Sequence, residues 1–342
     1  MQRMMPRSPE ADSHSVVDVF PFCGLFSLEI VCQAAFNKSW DNGSETGALR
    51  LLEAMDGSAI LLPIDAALPM LKKYGLGRHL PGPIGDAYRH FDDWTQMTRK
   101  LLRDFGEDDV SKDRSHRFMA TPLLLNDDAF LGRRLTEDEA VEEAMGIAFA
   151  GSGTTSTTLA YLFYNLSLPE NAHHQRQLRE ELRNAGETLS ELQQLPFLNA
   201  VIKETMRLNP TIISTLPRTL DTELPIPKLG VSLPKGTTVG MQNYVHHRDP
   251  EIFADPESFN PERWLGDCDA AERTITPFSL GQRNCIGQNL ARAELYMAVS
   301  KVFRRLSVTL NSNMVREDME MQDRFNIAPR GKKLWLDVEV VK

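Results

Sequence analysis

Cys285 has the setting in this chain that points most directly to chemistry. It lies in Phe278-Ser-Leu-Gly-Gln-Arg-Asn-Cys-Ile-Gly287, with Arg283 two residues before it and glycines Gly281 and Gly287 on either side. A thiolate is a strong metal ligand, and a helix N-terminus or a cation favours that form of cysteine. An apolar, helix-like segment follows the loop at once, so backbone amides can point at the sulfur. Such donors temper the charge of a ligating thiolate and tune the metal. The pattern reads as the axial ligand of a haem iron, with Arg283 facing a propionate and the glycines letting backbone approach a flat macrocycle. The plainer alternative is a small buried cysteine, the usual fate of a lone one. Cys23, Cys32 and Cys268 have no comparable context and take that plainer reading.

Two further stretches carry weaker signals. Glu204 and Arg207 stand three apart, on one face of a helix. This spacing alone fits an ordinary surface ion pair worth roughly 0–1 kcal/mol. Their flanks, Ala200, Val201, Ile202, Met206 and Leu208, are apolar. A buried pair needs further partners, and Arg263 in Pro261-Glu-Arg-Trp264 is a candidate. Ala150-Gly-Ser-Gly-Thr-Thr-Ser-Thr-Thr158 is an unusual helix centre. Each glycine there costs about 1 kcal/mol relative to alanine, and the hydroxyls compete for backbone carbonyls. Two readings stay open: close helix packing through small residues, or a functional kink beside a flat ligand.

The elements that would position these residues are mainly helical. Val16 to Ala35 reads as a buried helix, Ala48 to Met55 as a short one, and Ile84 to Phe105 as an amphipathic one. Pro63 to Pro83 reads as irregular, Trp40 to Ser44 as turn, and Glu107 to Arg117 as charged loop. Thr136-Glu-Asp-Glu139 is a capping box that opens a helix running to Leu168, about 50 Å long. Further helices are predicted at His173 to Ala185, Leu195 to Leu208 and Leu290 to Leu306. Strands are predicted at Leu224 to Ile226, Val231 to Leu233, Thr237 to Met241, Val308 to Leu310 and Leu334 to Val340. The fold class is therefore mainly α with a minor β component. The whole chain, 1–342, reads as one domain, with residues 1–15 disordered.

Bulk numbers narrow the function classes. The chain has 342 residues, 42% apolar and 25% charged, values of a globular protein. A net charge of −9 without a long basic run argues against nucleic acid as a partner. Four irregularly spaced cysteines suit neither a disulfide framework nor a zinc cluster. His173-His174 and His246-His247 are adjacent pairs, the wrong spacing for a zinc hydrolase. The start lacks the apolar core of a signal peptide, and no apolar run is read as reaching the roughly 18 residues that span a bilayer.

Taken together, these motifs resemble the cytochrome P450 family. Phe278-x-x-Gly281-x-Arg283-x-Cys285-x-Gly287 is similar to its haem loop. Glu204-x-x-Arg207 and Pro261-Glu-Arg-Trp264 resemble its two other landmarks, in the right order, and Ala150 to Thr155 resembles the groove of its long central helix. His246-His-Arg-Asp-Pro250 looks like the family's approach to the Pro-Glu-Arg segment. The style is that of the eukaryotic, microsomal and fungal secondary-metabolite branch. The resemblance implies Cys285 as metal ligand, with Arg283, Arg218, Phe278, Gly281, Gly287 and Gly151 around haem. It implies a structural triad of Glu204, Arg207 and Arg263, and Thr154 as the catalytic alcohol that relays protons. It further implies monooxygenation of a lipophilic small molecule, such as a terpenoid or polyketide, with electrons from an NADPH-cytochrome P450 reductase.

Two departures shape the alternatives. Gly153 stands where the family carries an acid, which opens a haem-thiolate isomerase or dehydratase. The family's membrane anchor, first strands and early helices have no counterpart here, which opens a non-catalytic, amino-terminally truncated remnant. Membrane contact, typical of the family at the endoplasmic reticulum, is left without an anchor in this chain. Met145, Ile147, Phe149, Ile212, Ile213, Phe325 and Ile327 are apolar candidates for facing substrate, with core packing as the equal alternative.

Overall fold

The computed structural model describes residues 14–40, 45–108 and 118–341. The amino-terminal tail through residue 13, most of the 40–44 turn and most of the 107–117 loop lie outside the described residues. The chain divides into two compact units: Asp18–Ala160 with Lys332–Trp335, and Tyr161–Gly331 with Leu336–Lys342 and the residues up to Val17. The architecture is mainly helical with small antiparallel sheets.

Strand β1 (His14–Asp18) opens the described chain and takes in His14 and Ser15, two residues of the stretch read as disordered. The first unit then holds α1 (Val19–Phe36), α2 (Glu45–Ser58), α3 (Leu61–Ala67), α4 (Pro69–Lys73), α5 (Pro83–Glu107) and α6 (Ala120–Leu125). A two-residue hairpin, β2 (Asp127–Asp128) and β3 (Arg133–Arg134), leads to the long helix α7 (Glu137–Ser167). Most of the stretch from Pro63 to Pro83 is helical where the sequence suggested irregular chain. Three of its four prolines sit in first helical turns, where no backbone N–H is needed: Pro69 and Pro83 open α4 and α5, and Pro63 is third in α3; Pro81 lies in the bend before α5.

Helix α1 is 18 residues long with a mean hydropathy of 1.7, so by length and composition it could cross a membrane, contrary to the sequence expectation. It buries Leu28, Val31, Cys32, Ala35 and Phe36 in a core shared with Leu51 and Met55 of α2, Leu101 and Phe105 of α5, and Val141 and Ala144 of α7. Fully burying an aliphatic side chain of this size contributes about 1.5–3 kcal/mol. The predicted capping box opens α7: Glu139 N–H donates to Thr136 Oγ1 at 3.3 Å, and Thr136 N–H to Glu139 Oε2 at 2.8 Å.

The second unit holds α8 (Ala172–Arg183), α9 (Leu189–Leu192), α10 (Pro196–Leu208), α11 (Asn243–His246), α12 (Asp269–Thr274) and α13 (Gln288–Phe303). Its strands pair locally: β4 (Arg218–Thr219) with β7 (Thr238–Val239), β5 (Leu224–Ile226) with β6 (Val231–Leu233), and β9 (Met321–Arg324) with β10 (Asn326–Pro329). β8 (Leu306–Leu310) pairs with β11 (Trp335–Val340), which lies between β8 and β1. Gln175 of α8 pins this sheet. Its Nε2 donates to Leu166 O and Val308 O, both at 2.8 Å, and its Oε1 accepts Val308 N–H at 3.0 Å.

Candidate functional site

The tightest polar assembly is built on α10. Glu204 and Arg207 are both fully buried. Arg207 uses all five of its N–H donors. Nε and Nη2 bind Glu204 at 2.9 and 2.8 Å, Nη1 binds His247 O and Pro256 O, and the second Nη2 hydrogen binds Ser258 O. Glu204 also accepts Arg263 Nε at 3.1 Å, the Asn260 amide at 2.9 Å and Trp264 Nε1 at 2.9 Å. A buried ion pair is tolerated only when its remaining lone pairs and protons are matched; for Glu204 and Arg207 they are, while Arg263 Nη2 is without a partner among the described residues. Sequence spacing pointed to Arg263. It did not point to Trp264, Asn260 or the His247 carbonyl: the two backbone groups carry no residue signature, and nothing local marks the Trp264 indole N–H as a partner of Glu204.

The cysteine loop lies in the same unit. Thr276 O accepts Ser279 N–H at 3.0 Å, and Phe278 O accepts Cys285 N–H at 2.8 Å, which closes the loop on itself. Two residues adopt left-handed backbone, Ser279 at φ 60° and Gly281 at φ 73°. Glycine suits the second; serine bears the strain at the first. Gly287 has ordinary backbone, φ −86°, as the N-cap of α13. A Cβ there would meet only Cys285 Sγ, at 4.0 Å. The predicted need for glycine at 287 is therefore not conformational. Phe278 carries the Arg292 guanidinium over its ring, 4.8 Å from the centroid, a partner the sequence did not suggest.

The four thiols divide sharply. Burial pushes Cys23 up to about 12 and Cys32 up to about 11, and burial also raises Cys268, so all three stay protonated. Cys285 is exposed. Its apolar neighbours Leu280 (71% exposed) and Ile286 (102%) are open with it. Arg283 is exposed and has no ion pair among the described residues, and Arg218 on β4 donates only to its neighbour Pro217 O, at 2.9 Å. An accessible thiol, uncovered apolar side chains, guanidinium groups without an ion pair among the described residues and the space a Cβ at Gly287 would fill suit a flat, apolar, anionic macrocycle.

Thr154 lies in the first unit, on α7. The helix runs without interruption through the small-residue stretch, although the hydroxyls bond back onto its carbonyls. Ser152 donates to Ala148 O, Thr154 to Ala150 O at 2.9 Å, and Thr158 to Thr154 O. Gly151 is accounted for by packing: a Cβ there would lie 2.4 Å from Val31 Cγ2 of α1. Among the candidate substrate-facing residues, Met145, Ile147 and Phe149 pack on the core of the first unit, and Ile327 is fully buried. Phe325 stays 47% exposed at φ 82°, at the tip of the β9–β10 hairpin. A cleft of about 580 Å³ in the second unit is lined by Ile213, Tyr244, Arg248, Met321 and Asp323 among others; no residue of the cysteine loop borders it. No metal-binding cluster of His, Cys, Asp and Glu occurs among the described residues.

A family model for cytochrome P450 matches residues 2–335. The chain belongs to the cytochrome P450 family. The family and its fold imply a haem-thiolate iron cofactor. Among curated relatives, the N-acetyltryptophan 6-hydroxylase ivoC of Emericella nidulans is 36% identical over 221 residues, 60% of this chain and 42% of that protein. The cytochrome P450 monooxygenase TRI4 of Fusarium sporotrichioides is 40% identical over 199 residues, 54% of this chain and 37% of that protein. This P450 chain thus matches less than half the length of these relatives. Among solved structures, a retinoic acid-bound cyanobacterial P450, CYP120A1, superposes with a TM-score of 0.75 at 19% identity, over 95% of this chain and 70% of that one.

Proposed function

We propose that this chain is a haem-thiolate monooxygenase of fungal secondary-metabolite biosynthesis. It oxidises a lipophilic small molecule by hydroxylation or epoxidation, with electrons from an NADPH-dependent reductase. The observation that carries this reading is the exposed Cys285 in a closed, glycine-bracketed loop of a chain that matches the P450 model almost end to end. The relatives support the class: they include a tryptophan-derivative hydroxylase and the Fusicoccadiene C-8 hydroxylase of Alternaria brassicicola.

Each residue has a role in this reading. Cys285 Sγ would hold the haem iron as a thiolate, and Phe278 O and the start of α13 hold its backbone. Arg283 and Arg218 would balance the haem propionates. Gly281 turns the loop, and Gly287 leaves room beside the sulfur. Glu204, Arg207 and Arg263 brace the segment that precedes the loop. When bound, haem supplies the oxygen-activating chemistry. Thr154 moves a proton through its hydroxyl, which donates to Ala150 O at rest and must release that bond to relay. Gly153 offers no carboxylate to assist it, so neighbouring hydroxyls and solvent complete the path.

The reduced, CO-bound spectrum of the haem-supplemented chain tests the proposal. A thiolate-type Soret band that disappears in Cys285→Ala is the expected result; no such band in the native chain would overturn it. Turnover that proceeds without a reductase would replace monooxygenation with isomerisation or dehydration, the reading that Gly153 favours.

A further inference from the structure

We propose that His247 is a positioning residue for the cysteine loop, an inference that rests on the haem-thiolate reading above. His247 caps the short helix α11 and is fully buried. Its Nε2 accepts the backbone N–H of Thr276 at 2.9 Å. An imidazole that accepts at Nε2 carries its proton on Nδ1. That Nδ1 has no hydrogen-bond partner among the described residues. Its backbone carbonyl, meanwhile, takes Arg207 Nη1 at 3.0 Å. One residue thus joins the Glu204–Arg207 assembly to the segment that leads into the loop.

The neighbouring histidine grips the same residue. His246 Nε2 pairs with Thr276 Oγ1 at 3.1 Å, and its Nδ1 with Gln242 O at 2.8 Å. The two rings meet edge to face, 4.6 Å apart. Thr276 is held at both its amide and its hydroxyl, and its carbonyl accepts Ser279 N–H. Ser279 is the strained residue of the loop, and Phe278 beside it accepts the Cys285 amide. The route from Arg207 to Cys285 therefore runs through His247, Thr276 and Phe278 by hydrogen bonds and short backbone links.

Simple space filling does not explain this imidazole. A buried donor without a partner is destabilising, so packing alone favours a phenyl ring at this position. What a phenyl ring cannot do is accept the Thr276 amide. The orphaned Nδ1 is tolerated for the sake of the acceptor on the other side of the ring.

The test compares the native full chain with His247→Phe and His247→Gln, whose Oε1 can still accept. Hydrogen–deuterium exchange is read over the Thr276 to Cys285 segment, without haem. At least tenfold faster exchange in His247→Phe, largely restored in His247→Gln, is expected; native-like exchange in His247→Phe overturns the proposal. With haem added, His247→Phe is expected to lose at least fivefold of its thiolate-type Soret band at equal haem content, and His247→Gln to keep it. If His247→Phe does not fold, 15N-histidine NMR of the native chain decides: an Nε2-protonated His247 overturns the proposal. A native chain that lacks the thiolate band overturns the haem reading instead, while the exchange data still judge His247.

Discussion

Gly281 and Gly287 bracket the same cysteine, but they are glycines for different reasons. Gly281 has φ 73° and nothing within 4 Å of a would-be Cβ, so alanine meets only a backbone penalty. Gly281→Ala is expected to destabilise the haem-free chain by about 1–2 kcal/mol in urea denaturation. Gly287 has ordinary backbone, and Gly287→Ala is expected to stay within about 1 kcal/mol, the difference between these residues at an N-cap. Its effect should appear in haem titration, as weaker loading, because the new methyl sits beside Cys285 Sγ. Equal haem loading by Gly287→Ala and native chain would show that no ligand approaches there. Sequence marked both glycines, yet it could not separate them, since backbone dihedral and open space have no letter. Gly151 shows the same limit: the sequence could not tell that a Cβ there would run into Val31.

Helices were readable where their ends carried side-chain signals. The Thr136–Glu139 box fixed the start of α7 within one residue, and the Asn209-Pro210 pair stopped α10. Thr136→Ala is expected to cost about 1 kcal/mol, with Thr136→Ser close to neutral, measured by thermal or urea unfolding. A null effect would mean that the ion pairs of Glu137 and Asp138 with Arg99 on α5 hold the helix start alone. Helices α3 and α4 were missed because proline was read as a breaker although it stands in a first turn. The strand β1 was missed because its partner β11 is more than 300 residues away, beyond any local pattern. The buried ion-pair assembly was half legible. Glu204, Arg207 and Arg263 have matching charges, whereas three of the five donors of Arg207 go to carbonyls whose identity only the folded backbone supplies.

At the scale of the whole molecule, two buried histidines set the response to acid. Burial and the adjacent His246 hold His247 down at about 3, and burial also lowers His174. The unfolded chain binds a proton at each near the ordinary value of 6.5, and the folded chain only at lower pH. Stability is therefore intact above pH 6.5 and falls as pH drops toward 3. At pH 5 His247 alone accounts for a loss of about 2 kcal/mol. The lowered carboxylates Glu137, Glu139, Glu191 and Glu272 act only below their ordinary 4.5, so the interval from 6.5 to 4.5 reports the histidines. Urea midpoints across that interval should slope, and His247→Gln should flatten the slope; an unchanged slope would clear His247.

The cap of α1 has a separate consequence. Asp18 Oδ1 accepts Phe20 N–H and also Leu334 N–H at 2.9 Å, and Leu334 O takes Val19 N–H. The first helix is thus fastened by residues 316 positions away along the chain. A contact across so long a loop is late to form, because joining two ends costs more entropy the more chain lies between them. Until it closes, the apolar side chains of α1 stay uncovered and open to aggregation.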